Sequence, residues 1–471
     1  MNSRTRFNRS SVLRNASHVD TLETRRLMAT FAVTNANDAG AGSLRDAITQ
    51  ANATPGADQV SFNIGAGSKK IALQTALPAI SEALTIDGFT QPGTLFVPTV
   101  EVNGSGGGGL FYSGFIATVP ITVRGLSLTG FKSNGQADTG HAVLLKPGSD
   151  GSTIEGNYIG VTPGVQAVAN GGHGVEIRSA NNVVRGNVIS NNTGGGIFIT
   201  TDTADNNTIE GNRIGTSPNG VIAMPNFGPG VELTLGASGN RIGGNTVEKR
   251  NLISGNQGIG VSINGSTNLP TSDNVVTGNW IGLAGNGVTA MGNTGGIGVY
   301  GGTGNIIGGW TSEERNVIAA STFNGITLDQ NRADNTVIKG NYIGTTSDGL
   351  QARPNQQYAV SFSGGAKNAV LGGTNAGEGN LIVGMGTSST VHIVTGSNNI
   401  KVQGNQIGLL ADNVTAVADT KAIEVDGAGS GIEIGGATAG AGNRIVGADA
   451  GVRAEYVEPA RASQHDGLGP R

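Results

Sequence analysis

The sequence predicts an all-β solenoid: a single-stranded parallel β-helix whose first coil is covered by a short α-helix. Three observations predict it. Glycine is far above its usual share, valine and isoleucine are scattered singly between glycines and asparagines, and one short motif recurs at a step of about 64 residues. Glycine supplies 81 of 471 residues and asparagine 46, where glycine alone normally reaches ~7%. No third-residue glycine period exists, which excludes collagen. Only 13% of residues are charged and β-branched residues run throughout, unlike a disordered chain. Short strands between tight turns fit this composition.

The net charge of −4 comes from 29 Lys and Arg against 33 Asp and Glu. No basic stripe accompanies it, so no nucleic-acid partner is expected. The absence of cysteine excludes a disulfide framework, thiolate metal sites and a cysteine nucleophile. No apolar run approaches the ~18 residues of a membrane-spanning helix.

Residues 1–29 form a basic segment expected to be disordered, with Arg4, Arg6, Arg9, Arg14, Arg25 and Arg26. Its stretch Leu22-Glu23-Thr24-Arg25-Arg26-Leu27-Met28 resembles the Leu-Glu-Pro-Arg-x-Leu-Leu segment near the start of many large exported bacterial surface proteins. Thr24 replaces the proline and Met28 the last leucine. The resemblance implies an extracellular or cell-surface location.

Residues 30–64 are expected to form an N-terminal cap. Phe31 to Thr34 reads as a strand and Asn35 to Gly40 as a turn. Ser43 then opens a helix, with Asp46 three residues on in a capping-box position. Leu44, Ala47, Ile48 and Ala51 share its apolar face, and Pro55-Gly56 ends it. Gly42-Ser43-Leu44-Arg45-Asp46-Ala47 resembles the Cys-Ser-Leu-Arg-Glu-Ala segment of bacterial β-helix proteins, without the cysteine. An open first coil needs such a cover.

Residues 65–450 carry the repeat. Gly-Asn-x-Ile-Gly occurs with its asparagine at Asn157, Asn212, Asn279, Asn341 and Asn405. A second series, Asn187, Asn251, Asn316, Asn380 and Asn443, interleaves with it. Apolar-Gly-Gly marks a third at Ile242, Ile307, Leu371 and Ile434. Alternating strands start near Val175, Ile197, Val231, Ile259, Ile297, Ile326, Val360, Val391 and Ile423, so each unit divides into two coils of three short strands. Period-two alternation puts Asn157 on the side of Ile159 and Tyr158 on the other. The same holds for Ile214, Ile281, Ile343 and Ile407. The asparagines are therefore expected to form a structural ladder at an interior corner. Residues 451–471 lack the repeat and are expected to be a disordered tail.

With these motifs, the chain resembles the right-handed parallel β-helix (pectin-lyase-like) proteins of bacteria, to which Thr85-Ile86-Asp87-Gly88-Phe89-Thr90-Gln91-Pro92-Gly93 is also similar. The resemblance implies the fold and not the activity. Of the polygalacturonase segments only Gly172-His173-Gly174 is present, and His173 is read as a turn residue. Glu176, Glu232 and Glu424 share one strand position but stand two or more coils apart, too far to share one Ca²⁺. The nine-residue calcium repeat is missing. No catalytic residues are assigned, and no metal or cofactor is expected.

The outward position of Gly-Asn-x-Ile-Gly holds Tyr158, Arg213, Trp280, Tyr342 and Gln406. Three aromatics at one ribbed surface position suit sugar rings; the competing reading has them packing under the loops that follow. The expected function is a non-catalytic, exported protein binding or organising a polysaccharide or cell-envelope glycan through Tyr158, Arg213, Trp280 and Tyr342. The alternative is a polysaccharide lyase, epimerase or hydrolase with an unrecognised site.

Overall fold

The computed structural model describes residues 28–329, 333–386, 388–427 and 429–455. Most of the export-like segment and residues 456–471 lie outside the described residues. Nearly every element is a strand of two to four residues, and the strands pair in parallel. The chain visits three sheets in turn: Thr153–Glu155 lies in the first, Tyr158–Ile159 in the second and Val175–Ile177 in the third. Val183–Arg185 then returns to the first. Among the described residues the sheets hold 14, 13 and 12 strands and enclose one core.

Such short strands hold because every coil repeats the same inward residue type. Ile154, Val184, Ile209, Ile242, Val276, Ile307, Ile338 and Leu371 stack in direct register in the first sheet, all fully buried. Branched aliphatics pack well on a pleated surface. Corners are the harder problem, since turning backbone inside a narrow prism leaves polar groups without water.

Asparagine meets that need at all three corners. Between the first and second sheets, Asn157, Asn187, Asn212, Asn251 and Asn279 bond to one another in successive coils. The ladder continues through Asn316, Asn341, Asn380, Asn405 and Asn443. The two sequence series thus alternate in one column. Asn182, Asn207, Asn240, Asn274 and Asn305 make a second ladder at the entry to the first sheet. Asn170, Asn192, Asn226, Asn256 and Asn293 make a third at the entry to the third sheet.

The apolar-Gly-Gly marker has an equally local cause. Gly308 sits at φ +97°, and a methyl group there would overlap the Lys339 carbonyl oxygen of the next coil. Gly308→Ala is therefore expected to cost about 3 kcal/mol, from backbone strain plus displacement of a packed coil. Chemical denaturation reads the loss directly.

Three sequence boundaries shift. Val261, not Ile259, is the inward residue beside Val231 and Ile297. A two-residue slip keeps the inward–outward alternation; the register is held by glycine packing, because a side chain at Gly260 would collide with the Gly296 carbonyl and Ile281. The proposed cap is built into the solenoid: Thr30–Val33 and Asp58–Phe62 are the first two strands of the first sheet. Helix Leu44–Ala53 is inserted between them, its Ser43 hydroxyl accepting from Asp46 N and its Asp46 carboxylate accepting from Gly42 N. Strand Ala448–Glu455 carries the third sheet past residue 450, pairing with Asp419–Asp426. Parallel pairing to an open edge needs only an extended chain, so the missing motif did not end the fold there.

Candidate functional site

The four residues Tyr158, Arg213, Trp280 and Tyr342 lie in one outer column of the second sheet, but Val188, Leu252 and Val317 stand between them in alternate coils. Arg213 is exposed and the three rings are half-buried. The Arg250 guanidinium lies 4.7 Å from the Trp280 ring centre, and that of Arg315 lies 3.9 Å from Tyr342. Trp280 and Tyr342 also pack on Leu283, Val317 and Ala319. Gly287, in the loop that follows, abuts the Trp280 ring edge. A cleft of about 370 Å³ opens beside Trp280, between Arg213 and Arg250. At Trp280 and Tyr342 an arginine thus lies over the ring that a sugar would stack on.

The third sheet presents a different outer surface. Its central column runs Glu176, Phe198, Glu232, Ser262, Gly298, Thr327, Ser361, His392, Glu424 in direct register. Eight strand steps at ~4.8 Å span roughly 38 Å along the axis. Three clusters stand on this face.

At one end Glu176 is buried beside His141, 3.1 Å from its Nε2, and pairs with Arg178 at 2.5 Å. Arg178 also reaches Asp138 at 2.7 Å, and Lys146 holds Asp138 from the other side. His141 Nδ1 accepts from His173 N and Nε2 stands 3.0 Å from the Ala137 carbonyl oxygen. The imidazole is accordingly neutral with its proton on Nε2, and burial holds its pKa below the usual value. His173 stacks on His141 and on Phe198, with centroids 5.5 and 4.5 Å apart, and its Nδ1 accepts from Gly195 N at 2.8 Å. Burial, with His141 alongside, lowers the His173 pKa to about 3. This packing gives the turn residue a specific place. A cleft of about 310 Å³ lies over these side chains.

In the middle, Tyr300, Phe323, Asn324, Thr327 and Asp329 line a cleft of about 300 Å³. Tyr300 lies over Gly298, where any side chain would collide with its ring. Phe323 is half exposed. Glu232, two coils before Gly298, receives a 2.7 Å bond from Asn264, and burial raises its pKa.

At the far end His392 lies under Tyr358, ring centres 4.3 Å apart. Its Nε2 is 2.8 Å from Asp426 Oδ2, and Lys421 pairs with Glu424 beside them. Glu176, Glu232 and Glu424 are indeed coils apart. Each instead gathers partners that the sequence reading passed over: His141, Asp138 and Arg178 for the first, Asn264 for the second, His392, Lys421 and Asp426 for the third. The usable signal was the coil step, since a shift of 32 residues puts His392 beside Glu424.

Residues 121–309 match the family model described as right handed beta helix region. No curated protein matches the chain in sequence. Among solved structures the chain is similar to the A-modules of the mannuronan C-5 epimerases AlgE6 and AlgE4 of Azotobacter vinelandii. The TM-scores are 0.48 and 0.44, at 14% and 12% identity, covering 89% and 91% of this chain and 99% and 100% of those. It is also similar to the catalytic unit of an α-1,3-glucanase from Streptomyces thermodiastaticus, with a TM-score of 0.43 at 14% identity, covering 86% of this chain and 68% of that one. Three stacked parallel sheets make this chain a right-handed parallel β-helix protein. No described helix is long and apolar enough to cross a membrane.

Proposed function

We propose that the protein binds a polysaccharide along the outer face of the third sheet, with the chain of sugars parallel to the solenoid axis. The observation that carries this reading is the alignment of three polar–aromatic clusters on one rigid face. Rings at Phe198, Tyr300, Phe323 and Tyr358 alternate there with hydrogen-bonding groups, the pattern a sugar needs on its apolar and hydroxyl-bearing surfaces. Arg178, Lys146 and Lys421 on the face are each paired with a carboxylate, which favours a neutral glycan over a polyuronate. An exported, cell-surface setting belongs to the same reading and rests on the Leu22–Met28 segment.

Retention of the purified protein on immobilised neutral and acidic glycans tests the reading. Tyr300→Ala is expected to weaken retention on a neutral glycan roughly two- to twelvefold, the worth of one stacked ring. Trp280→Ala should leave it unchanged, because Arg250 lies over its ring. The reverse pattern would return the site to the second sheet. A catalytic reading is favoured by one observation, the Tyr358–His392 contact next to Lys421 and Glu424, which places acid–base groups together. Shortened or unsaturated sugars released in the same assay, and lost in His392→Ala, would support it.

A further inference from the structure

We propose that His392, Glu424 and Asp426 form a binding site for a divalent transition-metal ion of the zinc class, independent of any glycan. His392 and Glu424 face each other directly across adjacent parallel strands, and Asp426 lies two residues beyond Glu424 on the same side. One ligand atom from each lies within 4.8 Å of the others. His392 Nε2 and Asp426 Oδ2, 2.8 Å apart and hydrogen-bonded to each other, need to part by only about 0.6 Å to reach the ~3.4 Å separation of two ligands that each sit ~2.0–2.2 Å from one tetrahedral ion. The carriers are paired strands and not loops, so the separation is held by the backbone.

A second observation points the same way. Asp426 Oδ1 is shielded from solvent and has no hydrogen-bond partner among the described residues. A desolvated carboxylate oxygen left so is costly, and an ion between the two strands would satisfy it. The Tyr358 ring covers His392 and limits how far the imidazole can turn away. One imidazole with two carboxylates suits zinc and its neighbours, whereas Ca²⁺ asks for six to eight oxygens and is the wrong ion for this set. Lys421 competes, because its ammonium pairs with Glu424. It must swing outward as the ion enters, and its removal should tighten the site. Arg453, opposite Glu424 on the last strand, adds positive charge on that side and lowers affinity relative to a site without it.

The test uses the full chain, free of any histidine tag and stripped with a chelator, titrated calorimetrically with Zn²⁺ and separately with Ca²⁺. The expected result is one Zn²⁺ bound per chain and no comparable Ca²⁺ binding. Asp426→Asn and His392→Ala should each weaken Zn²⁺ by roughly tenfold or more, and Lys421→Ala should strengthen it. Circular dichroism checks that each variant is folded. If His392→Ala does not fold, the visible absorption of Co²⁺ added to the wild-type and Asp426→Asn proteins reports whether the ion enters a protein site and whether Asp426 is a ligand in it. Failure of the wild-type chain to bind Zn²⁺ would overturn the proposal, as would binding unchanged in Asp426→Asn. Neither result bears on glycan retention, which is read at Tyr300.

Discussion

Asn279→Ala is expected to destabilise the protein by about 3 kcal/mol or more, although it removes only one small side chain. Asn279 is fully buried. Its Nδ2 donates to the carbonyls of Ile242 and Thr277 and to Asn316 Oδ1, while its Oδ1 accepts from Asn251 Nδ2. Truncation leaves several of these groups short of a partner where no water reaches, at ~1–3 kcal/mol for each group left unsatisfied. Asn279→Asp should be worse, because its second oxygen would face three acceptors. Urea denaturation provides the measurement, with Arg213→Ala, outward and exposed, expected to stay within about 0.5 kcal/mol. A tolerated aspartate at pH 7 would mean that the ladder does not depend on amide donors.

Acid should unfold the protein through His173. Its pKa is about 3 in the folded chain and ~6.5 when unfolded. Between those values the unfolded state holds more protons, so stability rises with pH up to about 6.5 and is lost as pH falls. The loss from this one group reaches about 2 kcal/mol at pH 5 and about 4 near pH 3. His141, whose pKa burial also lowers, adds to it with the same sign. His173→Phe keeps the stack on Phe198 but removes the acceptor of the Gly195 N–H. It should therefore be less stable than wild type at pH 7.5 and more stable at pH 4. Melting curves at the two pH values that fail to cross would refute the assignment.

Why the ladder could be read and the third-sheet clusters could not is a matter of what repeats. Asn157, Asn212, Asn279, Asn341 and Asn405 meet the same corner constraint in alternate coils, so the same residue type returns at a nearly constant step. The other two ladders answer the same constraint but were not singled out. Their two-coil steps are as regular, 56, 64 and 67 residues from Asn170 to Asn226, Asn192 to Asn256 and Asn226 to Asn293, but their asparagines stand in varied local sequence and not in one recurring motif. His141, Glu176 and Arg178, or His392, Glu424 and Asp426, occur once each and show no period at all. They become neighbours only when the register brings strands about 32 residues apart side by side. Trp280 marks an intermediate case: the alternation placed it on the outer surface and Gly287 belongs to the loop expected to pack over it, but Arg250, which lies over its ring, comes from the preceding coil.

The three-strand coil, its inward aliphatic stacks, the helix that Ser43 caps and the buried amide column were all legible in the residue pattern. Each follows from local alternation or from a constraint repeated in every coil. Only the tertiary structure decided that Val261 replaces Ile259 in the stack, that the last strand runs on to residue 455, and that the chemistry-bearing side chains gather on the third sheet. Those outcomes depend on which coil packs against which. Loop lengths set that register, and no periodicity in the chain encodes it.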